Sequence, residues 1–150
     1  MRLTAYTDYA LRLLMLLALR GERATTIGDV AERYGISRNH LMKIAHQLGQ
    51  SGLVKTTRGR GGGLRLARDP ARIGLGEIVR LTEEGFALVE CFEATGGRCA
   101  ITPACRLQSV LSEALAAFLA VLDRYTLADL VERPARLRAL LGLEAAATAR

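Results

Sequence analysis

Tryptophan is absent from this 150-residue sequence, which has only three prolines and three cysteines. An odd number of cysteines without a secretory signal argues against a disulfide framework. No apolar stretch reaches the roughly 20 residues that a transmembrane helix requires, because Arg12 interrupts the most apolar run, residues 11–19. The length excludes a large multidomain enzyme. Since half of the residues are hydrophobic, the sequence predicts a small globular protein of the cytoplasm.

Acidic residues are scarce in the first half of the chain. The whole sequence has 21 Lys and Arg against 15 Asp and Glu, a net charge of +6. Residues 1–80 carry 14 basic and 6 acidic side chains, whereas residues 81–150 carry 7 basic and 9 acidic ones. The basic half is therefore the candidate for binding a polyanion such as DNA.

Capping signals in the basic half predict a helix-turn-helix. Thr26 followed by Asp29 resembles a capping box, with Asp in place of Glu or Gln, and it begins a short helix that Gly35 ends. Ser37 is expected to cap a second helix over residues 38–50, whose apolar side chains recur on one face.

Two short strands are predicted after this motif. Residues 53–58 favour one strand and residues 64–66 favour another, and the glycine-rich residues 59–63 between them predict a turn. The result is a two-stranded wing. A short helix is expected at about residues 75–82.

Longer helices are predicted on both sides of this unit. Thr7 is expected to cap a first helix that ends at Gly21. Thr102-Pro103 is a strong helix start, and the helix is expected to run to about Arg124 with Cys105 in its first turn. A helix this long and apolar requires a partner, which predicts dimerisation.

These elements predict a mainly α fold with a small β wing. Residues 1–82 are interpreted as a winged helix-turn-helix DNA-binding domain, and residues 83–102 as an irregular loop. Residues 103–141 are expected to form the dimerisation helix and a C-terminal helix, and residues 142–150 a frayed tail.

The DNA-binding surface is predicted at the start of the second helix of the motif and at the tip of the wing. A helix fits the major groove, whereas a basic loop can lie along the backbone or in the minor groove. Arg38 and Asn39 are expected to read base edges. A solvated basic face is the alternative for any single arginine. The residues expected to contact DNA are Thr26, Ser37, Arg38, Asn39, His40, Lys43, Arg58, Arg60, Gly61 and Gly62.

The cysteines follow the spacing Cys91-x7-Cys99-x5-Cys105. They lack the C-x2-C pairs of zinc ribbons, and no histidine stands among them or shortly after them, so a zinc site in this loop would lack one ligand. Three thiolates can hold an iron-sulfur cluster if a fourth ligand comes from elsewhere. Three buried thiols without a metal are the alternative.

Four segments carry a resemblance to a known family. MRLTAYTDYALRLL, GISRNHLMKIAHQLGQSGLVKTTRGRGGGLRLA, CAITPACRL and DRYTLADLV resemble the NsrR repressors, nitric oxide sensors within the class of winged-helix regulators that includes IscR. The resemblance covers about residues 1–141. It implies a homodimer whose cluster is held by the three cysteines of one subunit, in the loop 83–102, and by Asp8 in the first helix of the partner subunit.

Asp8 would otherwise be explained by its position, since an acidic residue in a first turn offsets the helix dipole. A carboxylate oxygen is a harder ligand than a thiolate, so its iron should be the most exchangeable in the cluster. Arg12, four residues on, is expected to pair with Asp8 and orient it. The loop between Cys91 and Cys99 is longer than is usual in the family. Gln108 stands where IscR has a histidine ligand, which argues against an IscR-type cluster.

The resemblance implies a repressor that binds double-stranded operator DNA and senses nitric oxide. One iron-sulfur cluster per subunit is expected, 4Fe-4S in preference to 2Fe-2S, and its nitrosylation or loss is expected to release DNA. A regulator that senses iron-sulfur supply or thiol redox state, and an iron-sulfur protein without a regulatory role, are the alternatives. An enzyme is not expected, because no nucleophile-base pair or paired carboxylate stands out.

Overall fold

The computed structural model describes residues 2–92 and 99–143. Short 3-10 turns lie at Pro70–Arg72, Glu90–Phe92 and Thr102–Ala104. Residues 144–150, which make up most of the predicted frayed tail, lie outside the described residues. The helices and strands are α1 (Ala5–Arg20), α2 (Ile27–Tyr34), α3 (Arg38–Gln50), β1 (Val54–Thr57), β2 (Gly63–Leu66), α4 (Leu75–Thr82), α5 (Arg106–Leu122), α6 (Leu127–Leu130) and α7 (Pro134–Leu140).

The first helix begins earlier than the sequence predicts. Thr4 has the extended backbone of an N-cap, and its hydroxyl accepts a hydrogen bond from the backbone N–H of Thr7 at 3.3 Å. Thr7 lies inside the helix and is completely buried. The prediction of Thr7 as the cap is therefore wrong, whereas the end of α1 at Gly21, with φ of 59°, is as predicted.

The helix-turn-helix follows the predicted capping signals. The Thr26 hydroxyl accepts from the N–H of Asp29 at 3.1 Å, and the Asp29 carboxylate accepts from the N–H of Thr26 at 3.3 Å. Gly35 ends α2 in the left-handed conformation. Ser37 is the N-cap of α3, although its side chain makes no capping hydrogen bond.

The wing is an antiparallel pair in which Val54 lies opposite Leu66 and Thr57 opposite Gly63. Its turn requires glycine at position 62, where a Cβ would overlap the carbonyl oxygen of Thr57.

The core surrounds α1, which contacts α3, α4, α6, α7 and β2. The central leucines of α1 are almost entirely inaccessible to solvent, and they pack with one face of α3 and with residues of α4 and the wing. The largest fully buried side chains are Leu13, Leu14, Leu16, Leu17, Val30, Leu41, Ile44, Leu48, Leu53, Ile73, Ile78 and Leu127. This packing fixes the orientation of α3 to that of α1.

The long helix α5 begins after Cys105, not at Thr102-Pro103 as the sequence predicts. Residues Thr102–Ala104 form a separate 3-10 turn, and Cys105 adopts an extended backbone, with φ of −79° and ψ of 104°, that interrupts the helix. Although α5 is rich in apolar residues, none of them is buried within the chain.

Two polar contacts join the second half of the chain to the first. Arg80 of α4 forms a bidentate pair with Asp123, which ends α5, with N–O distances of 2.6 and 2.8 Å. Arg138 of α7 donates two hydrogen bonds, of 2.9 and 3.1 Å, to the carbonyl oxygen of Leu19 near the end of α1. Across the described ranges, no helix is long and apolar enough to cross a membrane.

Candidate DNA-binding surface and cysteine site

One face of α3 is exposed and polar at its N-terminal end. The opposite face, which includes Leu41 and Ile44, is buried in the core. The polar residues exposed there are Ser37, Arg38, Asn39, His40 and Lys43, all of which the sequence singles out for DNA contact. Their side chains provide donors and acceptors suited to phosphates and base edges.

Arg38 lies beside the N-terminus of α2. A Cβ built on Gly28 would meet the Nη2 of Arg38 at 3.4 Å and the hydroxyl of Thr26 at 3.6 Å. Thr26 and Arg38 therefore lie on the same side of the motif. The Thr26 hydroxyl accepts a capping hydrogen bond, and its O–H can donate to an external group.

His40 connects this surface to α1. Its ring centroid lies 6.2 Å from that of Tyr9, with the ring planes tilted by 32°. This separation is within the range of aromatic pairs. Tyr9 directly follows Asp8, so a residue of α3 lies beside the turn that carries the predicted cluster ligand.

The wing tip presents its basic residues to solvent. Arg58, Arg60 and Gly61 are exposed, and Gly62 is half-buried because its backbone lies against β1. The tip thus combines the positive charges of two arginine side chains with two neighbouring glycines. Because glycine has no side chain, the backbone of the tip can approach a duplex closely.

Asp8 and Arg12 form the predicted ion pair. Arg12 Nε donates to Asp8 Oδ1 at 3.0 Å, and its Nη2 lies 2.8 Å from Oδ2. The two side chains are 47% and 45% exposed, so the carboxylate is oriented but accessible. Burial raises the pKa of Tyr34, and the nearby positive charge of Arg12 partly opposes this rise.

The cysteines lie at three different points of the second half. Cys91 is half-buried in the turn Glu90–Phe92, Cys99 is exposed, and Cys105 is the half-buried N-cap of α5. None of them forms a disulfide. Within residues 2–92 and 99–143, no three His, Cys, Asp or Glu side chains are grouped closely enough to hold a metal ion. The structure does not bring the three predicted thiol ligands together with one another or with Asp8.

The chemistry of these residues nevertheless fits an iron-sulfur cluster. All three thiols are reduced, and the Cys105 side chain makes no capping hydrogen bond. Cys105 lies at the positive end of a 17-residue helix, a position that favours an anionic cluster. The exposed carboxylate of Asp8 can supply an oxygen ligand.

Sequence reasoning missed Glu83 and Gln47. Glu83 accepts hydrogen bonds from Thr4 and Thr7, which precede it by 79 and 76 residues. Burial raises the pKa of Glu83, but the hydrogen bonds from Thr7 and Thr4 outweigh it, so the pKa lies below the ordinary value. Gln47 of α3 donates to the carbonyl oxygen of Leu81 at 2.8 Å. No local pattern indicates contacts between residues so far apart in sequence.

Comparison with known proteins gives consistent similarities. The profile of the Rrf2 family, described as "Iron-dependent Transcriptional regulator", matches residues 3–133. An HTH-type transcriptional regulator NsrR of Geobacillus kaustophilus is 56% identical over 142 residues, which is 94% of this chain and 97% of the relative. The regulator of the same name in Bacillus subtilis is 53% identical over 145 residues, 96% of this chain and 99% of the relative.

Solved structures share the fold. IscR of T. potens superimposes with a TM-score of 0.69 at 30% sequence identity, covering 88% of this chain and 87% of that one. The mainly helical architecture with a two-stranded wing, predicted from the sequence, is confirmed.

Proposed function

Because the chain belongs to the Rrf2 family of transcriptional regulators, we propose that it is a cytoplasmic, homodimeric repressor that releases operator DNA in response to nitric oxide. It is a DNA-binding transcriptional regulator and not an enzyme. The resemblance to the NsrR repressors noted in the sequence is confirmed. The signal, the cofactor and the dimer are the proposed parts.

The exposed polar start of α3 is the observation that carries the DNA-binding half of this proposal. With its apolar face buried, α3 presents the exposed polar residues between positions 37 and 43 to a major groove, and we call it the recognition helix. Arg38 and Asn39 are assigned to base edges, Ser37, His40 and Lys43 to bases or phosphates. Thr26, Arg58, Arg60, Gly61 and Gly62 contact the backbone or the minor groove.

The exposed apolar surface of α5 supports a homodimer. Leu107 and Val110 are 62% and 52% exposed, although a helix of this composition is normally packed against a partner. A second copy of α5 is the partner that we propose. The two recognition helices of the dimer then read successive major grooves, about 34 Å apart or a multiple of that distance.

An iron-sulfur cluster in each subunit is the proposed sensor. Cys91, Cys99 and Cys105 would hold it from one subunit and Asp8 from the other, with a 4Fe-4S cluster favoured over 2Fe-2S. When bound, the cluster supplies iron with which nitric oxide reacts. Asp8 is the hardest of the four ligands and is therefore the one most readily exchanged.

The chain's own contacts indicate how the signal reaches DNA. Asp8 is oriented by Arg12 and is followed by Tyr9, whose ring contacts His40 of the recognition helix. Since α1 and α3 also share the core, a shift of the first turn of α1 shifts the recognition helix. Release of Asp8 thus lowers operator affinity without unfolding the domain.

One observation favours a second candidate function. Cys99 is exposed and forms no disulfide, as expected of a thiol that oxidants can reach. The same fold could then respond to thiol redox state or to iron-sulfur supply. In the thiol case the metal-free protein binds its operator, and an oxidant, not nitric oxide, changes that binding.

The first experiment is anaerobic purification followed by titration with nitric oxide under visible absorption. Thiolate-bound iron-sulfur clusters absorb visible light, whereas zinc and bare thiols do not. We expect a coloured protein that bleaches at a few equivalents of nitric oxide per cluster and then loses operator binding. A protein without iron, even after attempted reconstitution, would overturn the proposed cluster and leave thiol redox sensing as the remaining candidate.

The variant Asp8→Ala tests the bridging ligand, with Glu22→Ala, an exposed carboxylate beyond the end of α1, as the control. We expect Asp8→Ala to change both operator binding and the nitric oxide response, and Glu22→Ala to change neither. Wild-type behaviour of Asp8→Ala in both assays contradicts the role assigned to Asp8.

A further inference from the structure

Glu83 ties two distant parts of the chain together. It directly follows α4 and is the first residue of the loop 83–102. Its Oε1 accepts the backbone N–H of Thr4 at 2.8 Å, the hydroxyl of Thr4 at 3.0 Å, and the hydroxyl of Thr7. One carboxylate oxygen therefore joins the start of the loop, which we call its root, to the N-cap and first turn of α1.

These bonds lie at the positions that fix the start of α1. Thr4 is the N-cap, and Thr7, which is completely buried, donates its backbone N–H to the Thr4 hydroxyl. Without Glu83, the Thr4 N–H loses its acceptor, and a buried hydroxyl loses its partner across the chain. Asp8 is the next residue, so the same turn carries the predicted cluster ligand.

The recognition helix is tied to the same place from the other side. Gln47 Nε2 donates to the carbonyl oxygen of Leu81, two residues before Glu83. The end of α4 is thus joined to α3 by Gln47 and to α1 by Glu83. Both side chains therefore form contacts between helices that are far apart in the sequence.

We propose that Glu83 is a positioning residue for the iron-sulfur site, which holds the turn that carries Asp8 and the root of the cysteine loop in one fixed relation. This inference rests on the proposed function. In the proposed dimer, the Asp8 of a subunit serves the partner's cluster, whereas the loop that begins at Glu83 serves the cluster of its own subunit. Glu83 therefore joins parts of two cluster sites.

The hydrogen-bond pattern distinguishes positioning from ligation. A glutamine carbonyl oxygen can accept the same three hydrogen bonds as the carboxylate, but it is a far weaker iron ligand. A positioning role therefore predicts that Glu83→Gln behaves nearly as wild type and that Glu83→Ala does not. Glu84→Ala is the matched control, because Glu84 is an exposed carboxylate next in sequence.

The first measurement is hydrogen exchange of the metal-free protein. In Glu83→Ala, we expect the amides of residues 4–8 and 83–88 to exchange about tenfold faster or more. Unchanged exchange in the middle of α3 shows that the fold is intact. Glu83→Gln and Glu84→Ala should exchange as wild type does. This readout does not depend on a cluster.

The second measurement uses protein reconstituted with iron and sulfide. We expect Glu83→Ala to have an altered visible circular dichroism spectrum and to lose iron to a chelator about 10–100-fold faster than wild type, as is typical when a group that orients a ligand is removed. Glu83→Gln is expected to restore both properties. A merely structural role lowers the unfolding temperature without changing the spectrum.

Four results would overturn the proposal, and they separate it from the proposed function. Wild-type exchange rates in Glu83→Ala contradict the contact itself. A normal spectrum and normal iron loss in Glu83→Ala contradict the positioning role, while the sensor proposal stands. Cluster loss in Glu83→Gln as severe as in Glu83→Ala makes Glu83 a ligand. A wild-type protein that takes up no iron overturns the proposed function and the positioning role together.

Discussion

At the scale of single residues, Arg38 is the side chain on which DNA selectivity should depend most. It is exposed at the start of the recognition helix, beside Thr26 and the N-terminus of α2. Because a guanidinium can bond two acceptors on one base edge, Arg38→Ala is expected to weaken operator binding by about 1–3 kcal/mol and random-sequence binding by much less. The measurement is a pair of anisotropy titrations at fixed salt.

Arg124→Ala is the control for this prediction. Arg124 is exposed just after α5, outside the basic half of the chain, and its loss should leave both affinities close to those of wild type. An equal loss of affinity for both DNA sequences in Arg38→Ala would assign Arg38 to a phosphate instead of a base.

Glu83 also predicts a dependence of stability on pH. Burial raises its pKa, but hydrogen bonds from Thr7 and Thr4 lower it more, so the folded pKa lies below the unfolded value. Such a group stabilises the fold above the unfolded pKa, and this stability is lost as the pH falls through the folded pKa. The stability difference between metal-free wild type and Glu83→Ala should therefore be largest near neutral pH and should shrink in acid. A constant difference contradicts the assignment.

Residues whose role depends on near neighbours could be predicted from the sequence, and the others could not. The Thr26–Asp29 box and the Asp8–Arg12 pair span three or four positions, so helix geometry alone predicts them. Glu83 could not be found in this way, because its partners lie 76 and 79 residues away. The same distance explains the error at Thr7: its hydroxyl bonds to Glu83 inside the fold.

At the scale of elements, the junction between α4 and α5 depends on a missing side chain. A Cβ on Gly76 would overlap both members of the Arg80–Asp123 pair. Hydrogen bonds from Arg80 hold the pKa of Asp123 below its ordinary value, although the pair is exposed and should contribute little to stability. Glycine at this position thus allows an orienting contact at the cost of helix propensity.

This arrangement predicts an effect that depends on background. In Asp123→Ala protein, Gly76→Ala should raise the free energy of unfolding by up to about 1 kcal/mol, because alanine favours helix and the Arg80 side chain, no longer paired, can move aside. In wild type the gain should be smaller or absent, because the alanine side chain displaces the Arg80–Asp123 pair. A double-mutant cycle in urea measures the difference. Equal gains in both backgrounds would contradict the role of Gly76.

Element boundaries followed the sequence at the Thr26–Asp29 capping box and at the glycines that end helices. Gly21 and Gly35 end α1 and α2 with positive φ, and the tip glycines form the turn of the wing. At Thr102-Pro103 the signal was equally strong, but the extended backbone of Cys105 separates a 3-10 turn from α5. A capping hydroxyl and a proline predict a helix start nearby, but they do not predict that the backbone leaves the helical conformation at Cys105. The short helix α7 was not predicted as a separate element.

At the scale of the whole molecule, the unburied helix α5 should decide oligomeric state. Val110→Glu places a charge on its exposed apolar surface, and we expect it to shift the protein to monomer mass in sedimentation and to weaken operator binding. Leu140→Glu, which places the same charge on an exposed leucine of α7, is the control expected to remain dimeric. A dimeric Val110→Glu protein contradicts the assignment of α5.

The two ends of α1 are fastened by different groups, so one end can loosen while the other stays fixed. Glu83 holds the end at Thr4, and Arg138 holds the carbonyl oxygen of Leu19 at the other. If only the first fastening loosens, the buried leucines in the middle of α1 still hold the helix in the core, so movement is confined to its first turns. Tyr9 lies in these first turns, so their movement reaches His40 of the recognition helix.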